Sequence, residues 1–189
     1  MRMLHKALLT YMCGQQKDWS GWESQCGGAC IRGDMQRICM RKDGLASGFS
    51  FSGDLTVINF GHHFCDGERR KTFKQYQLQV DNIAKRIKSM SPEQRNKVVW
   101  HETNMMPLRK DLWIRGYGDQ RTNIKLAAYN MYATGKMKKL GIPIIPAFAQ
   151  TLPLFSGSVD DAHIPVEYLS VSSLAFVLSL ACPDKRSKS

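Results

Sequence analysis

The stretch Leu55-Thr56-Val57-Ile58-Asn59-Phe60 decides the fold of this 189-residue chain, and Gly61 follows it directly. The stretch is short, apolar and rich in β-branched residues, a composition typical of a strand buried in a sheet. The glycine predicts a sharp turn at the end of that strand. His62 and His63 come next, so the turn places two imidazole groups at a strand end.

Two helices are predicted downstream of this strand. Over residues 73–90, apolar side chains recur at steps of three and four, which indicates one buried helix face. They are Phe73, Tyr76, Val80, Ile83, Ile87 and Met90. Ser91-Pro92 ends this helix, because the residue before a proline disfavours helical backbone. The second helix covers residues 123–140, and Gly141 stops it.

Two more strands and a last helix complete the pattern. Residues 97–101 and 142–146 are short apolar runs typical of strands, and residues 168–182 form a largely apolar helix. Alternating strands and helices predict an α/β fold in which helices cover both faces of a parallel sheet. We expect one domain over residues 1–182 and a basic tail over residues 183–189. In such sheets, chemistry takes place where the strands end, at the carboxyl edge.

The first 53 residues differ from the rest in composition. Residues 1–13 have apolar positions spaced as one helix face, whereas residues 14–53 are rich in glycine and cysteine and show little periodicity. We expect residues 14–53 to be an irregular insertion. The length and charge of residues 1–13 argue against a cleaved leader or a membrane span.

The cysteine content favours an oxidising compartment. The six cysteines are Cys13, Cys26, Cys30, Cys39, Cys65 and Cys182. Cys26 and Cys30 have a spacing that also suits zinc, but no matching Cys/His pair follows at zinc-finger distance, so no metal or cofactor is expected. Disulfides are favoured, with fifteen pairings open. We expect the protein in the secretory pathway, in the Golgi lumen or outside the cell, with its export signal not in this chain.

The formal net charge of +11 indicates acidic partners such as nucleic acid, an anionic glycan or a membrane surface. The basic residues are scattered, however, and aromatic residues do not interleave with them as in a strip that binds nucleic acid. We therefore expect a solvated basic surface, no nucleic-acid partner, no direct insertion into a membrane, and a monomer.

Asp160 and His163 form an Asp-x-x-His element within residues 158–165. In a turn that enters a helix, this spacing lets the carboxylate of Asp160 reach Nδ1 of His163, which leaves Nε2 to take a proton from a nucleophile. The alternative is that Asp160 or Asp161 caps a helix and His163 lies on the surface. We expect this element to meet two other clusters at the carboxyl edge of the sheet. Those clusters are Gly61 with His62 and His63, and His101 with Glu102 and Thr103.

The order of these blocks resembles the SGNH (GDSL-like) acyl esterases over about residues 54–182. Ile58-Asn59-Phe60-Gly61-His62-His63-Phe64 resembles the strand-ending Asn-x-Gly-x-His block of that superfamily. The most similar branch is the PC-esterase, neurexophilin-PC-esterase and trichome-birefringence-like group. Residues 98–103 fall where that branch has its next strand and substrate loop, and Asp160-x-x-His163 matches its closing block.

The resemblance implies a three-layer, flavodoxin-like parallel sheet and a Ser-His-Asp mechanism. The activity would be that of an O-acyl esterase or O-acetyltransferase on glycan or polyol substrates. His163 would act as general base and then as general acid, and Asp160 would orient it.

The resemblance also implies roles for the strand-end residues. The backbone N–H of Gly61 would form the oxyanion site with a side-chain donor, which is Asn59, His62 or His63. The histidine pair has the alternative of capping the strand end or packing against Phe64, and a metal site there lacks a third ligand. His101 and Glu102 would line the acceptor pocket, or alternatively lie in a solvent-exposed loop.

The nucleophile block of this family is missing. Its serine lies in a Gly-Asp-Ser sequence after the first strand, whereas Gly33-Asp34-Met35 and Gly53-Asp54-Leu55 both lack the serine. Residues 1–9 look like the helix that follows this block, with Arg2 where the family commonly has an arginine. We expect the first strand to be missing and the chain to be inactive as it stands. The alternatives are a secreted, non-catalytic glycan-binding module and, from charge alone, a cytosolic nucleic-acid binder.

Overall fold

The computed structural model describes residues 55–59, 61–65, 72–106 and 122–154, together with Phe176. These residues form an α/β fold. The strands are β1 (Thr56–Ile58), β2 (Val98–His101) and β3 (Ile144–Ile145). The helices are α1 (His62–Cys65), α2 (Phe73–Lys88), α3 (Pro92–Arg95), α4 (Asn123–Lys139) and α5 (Ala147–Thr151), and α5 runs into a 3-10 turn at Leu152–Leu154.

The three strands form a parallel sheet in the order β1-β2-β3. Thr56 pairs with Val98 and Ile58 with Trp100, while Trp100 and His101 pair with Ile144 and Ile145. Each strand therefore lies beside the next one along the chain, and one long helix makes each crossover. The parallel α/β prediction is confirmed. The strands are shorter than the apolar runs that predicted them.

Side-chain caps and one glycine set the ends of the long helices. Thr72 caps α2 in a capping box, in which its side chain accepts from the backbone N–H of Gln75 and the Gln75 side chain accepts from Thr72 N–H. Thr122 caps α4 through the N–H of Lys125. Gly141 follows α4 with φ at +70°, a left-handed conformation that costs glycine little. Both helices end within two residues of their predicted ends.

The core lies between the sheet and the two long helices, which pack against each other. Helix α2 buries Tyr76, Val80, Ile83 and Ile87, as its apolar spacing predicts. Helix α4 contributes Leu126, Tyr129, Ala133 and Met137 to the same cluster, and β2 contributes Val98 and Trp100. Because α2 and α4 are in contact, both crossovers lie on the same face of the sheet.

Strand β2 is buried on both of its faces. Val98, Val99, Trp100 and His101 are each exposed by 2% or less. Since successive side chains of a strand point to opposite faces, both faces of the sheet are covered at β2. This burial is what a three-layer α/β arrangement requires.

Several predicted segments lie outside the described residues. These are the helix over 1–13, the insertion over 14–53, the Asp160–His163 element and the basic tail, and from the helix over 168–182 only Phe176 is described, as helical. Five of the six cysteines also fall there, and only the backbone of Cys65 is described, so the disulfides stay a prediction. Among the described helices, none is long and apolar enough to cross a membrane.

Candidate functional site

The residues after β1 and β2 meet at the carboxyl edge of the sheet, as predicted for two of the three clusters. The side-chain amide of Asn59 donates a hydrogen bond to the carbonyl oxygen of His101 at 2.9 Å. Asn59 thus ties the end of β1 to the end of β2. This bond uses one of the two amide hydrogens of Asn59, and the second remains for another acceptor.

Gly61 is buried against Thr103, which lies two residues beyond β2. A Cβ atom at position 61 would lie 2.9 Å from Cβ of Thr103 and would overlap its Oγ1. The residue at position 61 must therefore lack a side chain for the two strand ends to approach this closely. The carbonyl of Gly61 accepts from the backbone N–H of Phe64 at 2.9 Å, which starts the single turn of α1.

Helix α1 places His62 and His63 directly after this glycine. His62 is partly buried, and Phe64 packs edge-on against Tyr76 of α2 with 5.5 Å between ring centroids. The hydroxyl of Tyr129 donates to the Phe64 carbonyl at 3.5 Å. Phe64 thus anchors α1 to both long helices, so the backbone turn that carries His62 and His63 is held at the sheet edge.

His101 is the last residue of β2 and is 2% exposed. Its Nδ1 lies 2.6 Å from the carbonyl oxygen of Glu102. A carbonyl only accepts, so Nδ1 carries the hydrogen and the neutral ring leaves Nε2 as the acceptor. Burial lowers the pKa of His101 to about 3. The ring is therefore neutral near pH 7, and His101 is a buried strand residue rather than part of a solvent-exposed loop.

Glu102 is held by two elements. Its backbone N–H donates to the carbonyl of Ile145 at 3.1 Å, which extends the pairing of β2 with β3. Its Oε1 accepts a hydrogen bond from the Thr134 hydroxyl of α4 at 2.9 Å. The carboxylate is half-buried and fixed in direction, so it can serve as a placed acceptor for a ligand hydroxyl.

Three helix side chains, none of them predicted as site residues, hold the segment after Glu102. Thr103 exchanges two hydrogen bonds of 2.8 Å with the side chain of Asn130. The N–H of Met105 donates to the Thr151 hydroxyl at 3.0 Å. Asn123 bonds to both the N–H and the carbonyl of Met106, at 2.7 and 3.1 Å. Side chains thus satisfy a buried, non-regular backbone that has no strand partner.

One sequence signal could have revealed Asn130. It lies four residues after Leu126 and three before Ala133, on the buried stripe of α4, where an apolar residue is the rule. A buried amide needs hydrogen-bond partners, so an asparagine in this position indicates a nearby irregular backbone. Asn123 and Thr151 carry no comparable signal, because they resemble ordinary helix-terminal residues.

Two buried polar atoms after β2 find no hydrogen-bond partner within the part of the chain that the structure describes. They are Oγ1 of Thr103, which lies against Gly61, and Oδ1 of the next residue, Asn104. Unsatisfied buried polar atoms are uncommon in folded proteins and cost about 1–3 kcal/mol each. These two atoms lie where two parallel strands end. Packing alone does not explain why polar side chains occupy these buried positions.

No group of three or more His, Cys, Asp or Glu side chains suited to a metal ion occurs among the described residues. Asp160 and His163 lie outside those residues, so their expected approach to this edge stays a prediction. Comparison of the chain with protein-family models, with curated proteins and with solved structures found no match. The function proposed below therefore rests on the fold, the strand-end geometry and the sequence blocks described above.

Proposed function

We propose that this chain has an SGNH-type acyl-transfer fold, whose complete form is an O-acyl esterase or O-acetyltransferase acting on a glycan or another polyol. The observation that supports this proposal is the meeting of two blocks at the carboxyl edge. The Asn59 amide bonds to the His101 carbonyl at 2.9 Å, and Gly61 packs directly on Thr103. An acyl-transfer site of this type needs an oxyanion donor and an acceptor pocket side by side, at the ends of neighbouring strands.

In the proposed reaction, a serine hydroxyl attacks the carbonyl carbon of the acyl group while His163 takes its proton. Asp160 orients the imidazole and stabilises its charged form. The carbonyl oxygen becomes an oxyanion, which accepts from the Gly61 N–H and from the free amide hydrogen of Asn59. Collapse of this intermediate expels the alcohol, which receives the proton from His163. Water or a second polyol then takes the acyl group from the serine.

The acceptor side of the site is proposed to be the segment that starts at His101. Because His101 is neutral and buried, it supports this segment from within the fold and adds no positive charge to the site. Glu102, fixed by Thr134 at 2.9 Å, is suited to accept from a sugar hydroxyl. Together these groups favour a neutral, hydroxyl-rich substrate.

The proposed reaction needs a nucleophilic serine in a Gly-Asp-Ser block. The 189 residues contain no Gly-Asp-Ser sequence, so we expect no turnover from this chain by itself. The same fact favours the second candidate, a secreted pseudoenzyme that keeps the fold and binds glycan without cleaving it.

Mapping the 5′ end of the transcript separates these two candidates. An in-frame Gly-Asp-Ser upstream of Met1, preceded by an apolar strand, supports the esterase, and the protein that carries it should release acetate from p-nitrophenyl acetate and from acetylated oligosaccharides. A transcript whose coding sequence starts at Met1 supports the pseudoenzyme instead. Mass spectrometry without reductant tests the secretory location: intact disulfides support it, and six free thiols favour the cytosolic alternative.

A further inference from the structure

Exposed lysines gather at the amino edge of the sheet, opposite the strand ends described above. Both α2 and α4 run antiparallel to the strands, so their last turns lie where β2 and β3 begin. These turns carry Lys85 and Lys88 on α2 and Lys138 and Lys139 on α4, and Lys97 directly precedes β2. All five side chains are exposed. We call Lys85, Lys88, Lys97, Lys138 and Lys139 the amino-edge lysines.

One ion pair sets the register of the two helix ends. Asp81 of α2 accepts from the hydroxyl of Tyr132 at 3.0 Å and pairs with Nζ of Lys136 at 2.8 Å, both on α4. The Lys136 ammonium holds the pKa of Asp81 below its usual value, and Lys85 adds to that effect. Asp81 is thus level with Lys136, and the turns that follow them lie side by side. Packed helices have axes about 8–10 Å apart, so one extended ligand can span both.

Few acidic side chains offset these charges. Within the described part of the chain, the acidic residues are Asp81, Glu93 and Glu102. Asp81 is engaged by Lys136, and Glu102 lies at the opposite edge of the sheet. Glu93, exposed on α3 shortly before β2, is the one described acidic side chain left on the amino-edge side, against five lysines. A cation in the last turn of each helix stabilises the helix dipole. This effect explains one lysine per helix, but it does not explain Lys97 or the second exposed lysine in each turn.

The surroundings of the amino-edge lysines favour one class of polyanion. The aromatic group of Phe73, Tyr76, Tyr129 and Tyr132 precedes these last turns. Within the described ranges, no ring therefore lies among the lysines to stack on a base. Helix carboxyl ends present carbonyls, so these last turns do not offer the backbone N–H groups and helix amino ends that DNA-binding proteins add to their Arg and Lys contacts with phosphates. Membrane binding by a surface also uses apolar side chains that insert, and the exposed Leu78 and Met131 lie outside the last turns.

We propose that the amino-edge lysines bind a sulfated or carboxylated glycan chain through contacts between point charges. This site is independent of the acyl-transfer proposal, because it lies at the other edge of the sheet and uses none of its residues. A glycan-binding edge would hold the protein on an anionic matrix while the carboxyl edge stays open.

Isothermal titration of the full chain with a heparin-derived octasaccharide tests the proposal. The test variant is Lys88→Gln/Lys139→Gln. Its matched control is Lys74→Gln/Lys125→Gln, which removes two exposed lysines from the first turns of the same helices. The net charge falls equally in both, and far-UV circular dichroism checks that both remain folded.

We expect saturable binding that weakens with added salt. The test variant should bind about 3- to 10-fold more weakly, as the loss of two exposed ion pairs implies, and the control should bind nearly as well as the unmodified chain. Equal losses in both variants, or no binding, would overturn the proposal. Tighter binding to a DNA duplex of equal charge, or to phosphatidylserine vesicles, would overturn the glycan assignment.

Discussion

The backbone of Thr103 exchanges two hydrogen bonds with the side chain of Asn130, and both are 2.8 Å long. The amide of Asn130 presents one acceptor and one donor, as the backbone of a neighbouring strand would. Thr103 lies beyond β2, and no described strand pairs with it there, so the Asn130 side chain satisfies both backbone groups of Thr103. Asn130 thereby positions the segment that packs on Gly61.

Asn130→Ala should lower the free energy of unfolding by about 2–4 kcal/mol, because it leaves a buried N–H and a buried carbonyl without partners. The matched control is Asn123→Ala, which removes the same pair of bonds from the backbone of Met106. Asn123 is partly exposed and these bonds are only partly buried, so the loss should be about half as large. Urea unfolding followed by circular dichroism measures both. Equal losses of unfolding free energy in the two variants would show that the deeper burial of Thr103 does not strengthen its hydrogen bonds with Asn130.

Gly61→Ala should destabilise the fold by about 1–3 kcal/mol, because the new Cβ would overlap the side chain of Thr103. Gly135→Ala is the control: nothing lies within 4 Å of its Cβ position, and it sits inside α4. There alanine should stabilise by about 0.5–1 kcal/mol. Thermal denaturation of the two variants should therefore give shifts of opposite sign.

Removing the opposing side chain should rescue the first of these variants. Thr103→Ala deletes the Oγ1 and the methyl group that a residue at position 61 would meet. The double variant Gly61→Ala/Thr103→Ala should therefore be more stable than the sum of the single effects predicts, with a coupling of at least about 0.5 kcal/mol. Strict additivity would mean that the two positions do not touch.

Acid should destabilise the protein through His101. Its folded pKa, about 3, lies below the unfolded value near 6.5, so the unfolded state takes up the proton first as the pH falls. This contribution is fully present above about pH 6.5 and is lost toward pH 3, by up to about 1.4 kcal/mol per pH unit. His101→Asn should flatten the loss between pH 6.5 and 4, as measured by urea unfolding at each pH.

Asp81→Asn provides the control for that experiment. The pKa of Asp81 is lowered, mainly by its hydrogen bond with Lys136, so the stability that this carboxylate contributes is present above the unfolded pKa of an aspartate, about 3.9, and is lost only at lower pH. The variant should keep the pH slope of the unmodified protein. A His101→Asn protein with the same slope would contradict the assignment of a buried, neutral imidazole.

His163→Ala should reduce acyl transfer by at least about 10³-fold in a protein that carries the Gly-Asp-Ser block, since loss of the general base disables the triad. The measurement is the rate of acetate release at saturating substrate. The control is His62→Ala, which removes one of three candidate oxyanion donors and should cost less. Turnover close to that of the unmodified protein would rule out His163 as the base.

The hydrophobic pattern predicted the framework of the fold well. Residues 55–60 and 97–101 indicated β1 and β2 because buried parallel strands need apolar runs, and the spacing from Phe73 to Ile87 indicated α2 because one helix face is buried. Ser91-Pro92 and Gly141 marked helix ends for reasons of local backbone geometry. These features depend on neighbouring residues, so sequence alone was sufficient.

The candidate site was less predictable, because its contacts join residues that are distant in sequence. The bond between Asn59 and His101, or between Thr103 and Asn130, depends on how the strands and α4 are arranged in space. His101 was placed at the end of the predicted strand, but whether its side chain is buried or faces a pocket or solvent depends on residues far away in the sequence. The short helices α1, α3 and α5 were missed because a single turn has no periodicity to detect.

The strand order carries a consequence for synthesis on the ribosome. Each strand pairs with the next one along the chain, so β1, α2 and β2 can assemble before α4 has been made. Tyr76 is fully buried in the finished protein, partly beneath Tyr129 with 4.4 Å between ring centroids. At about 5–20 residues per second, the nascent unit leaves this aromatic face uncovered for several seconds. That interval is when chaperones would bind the chain and when it is most prone to aggregate.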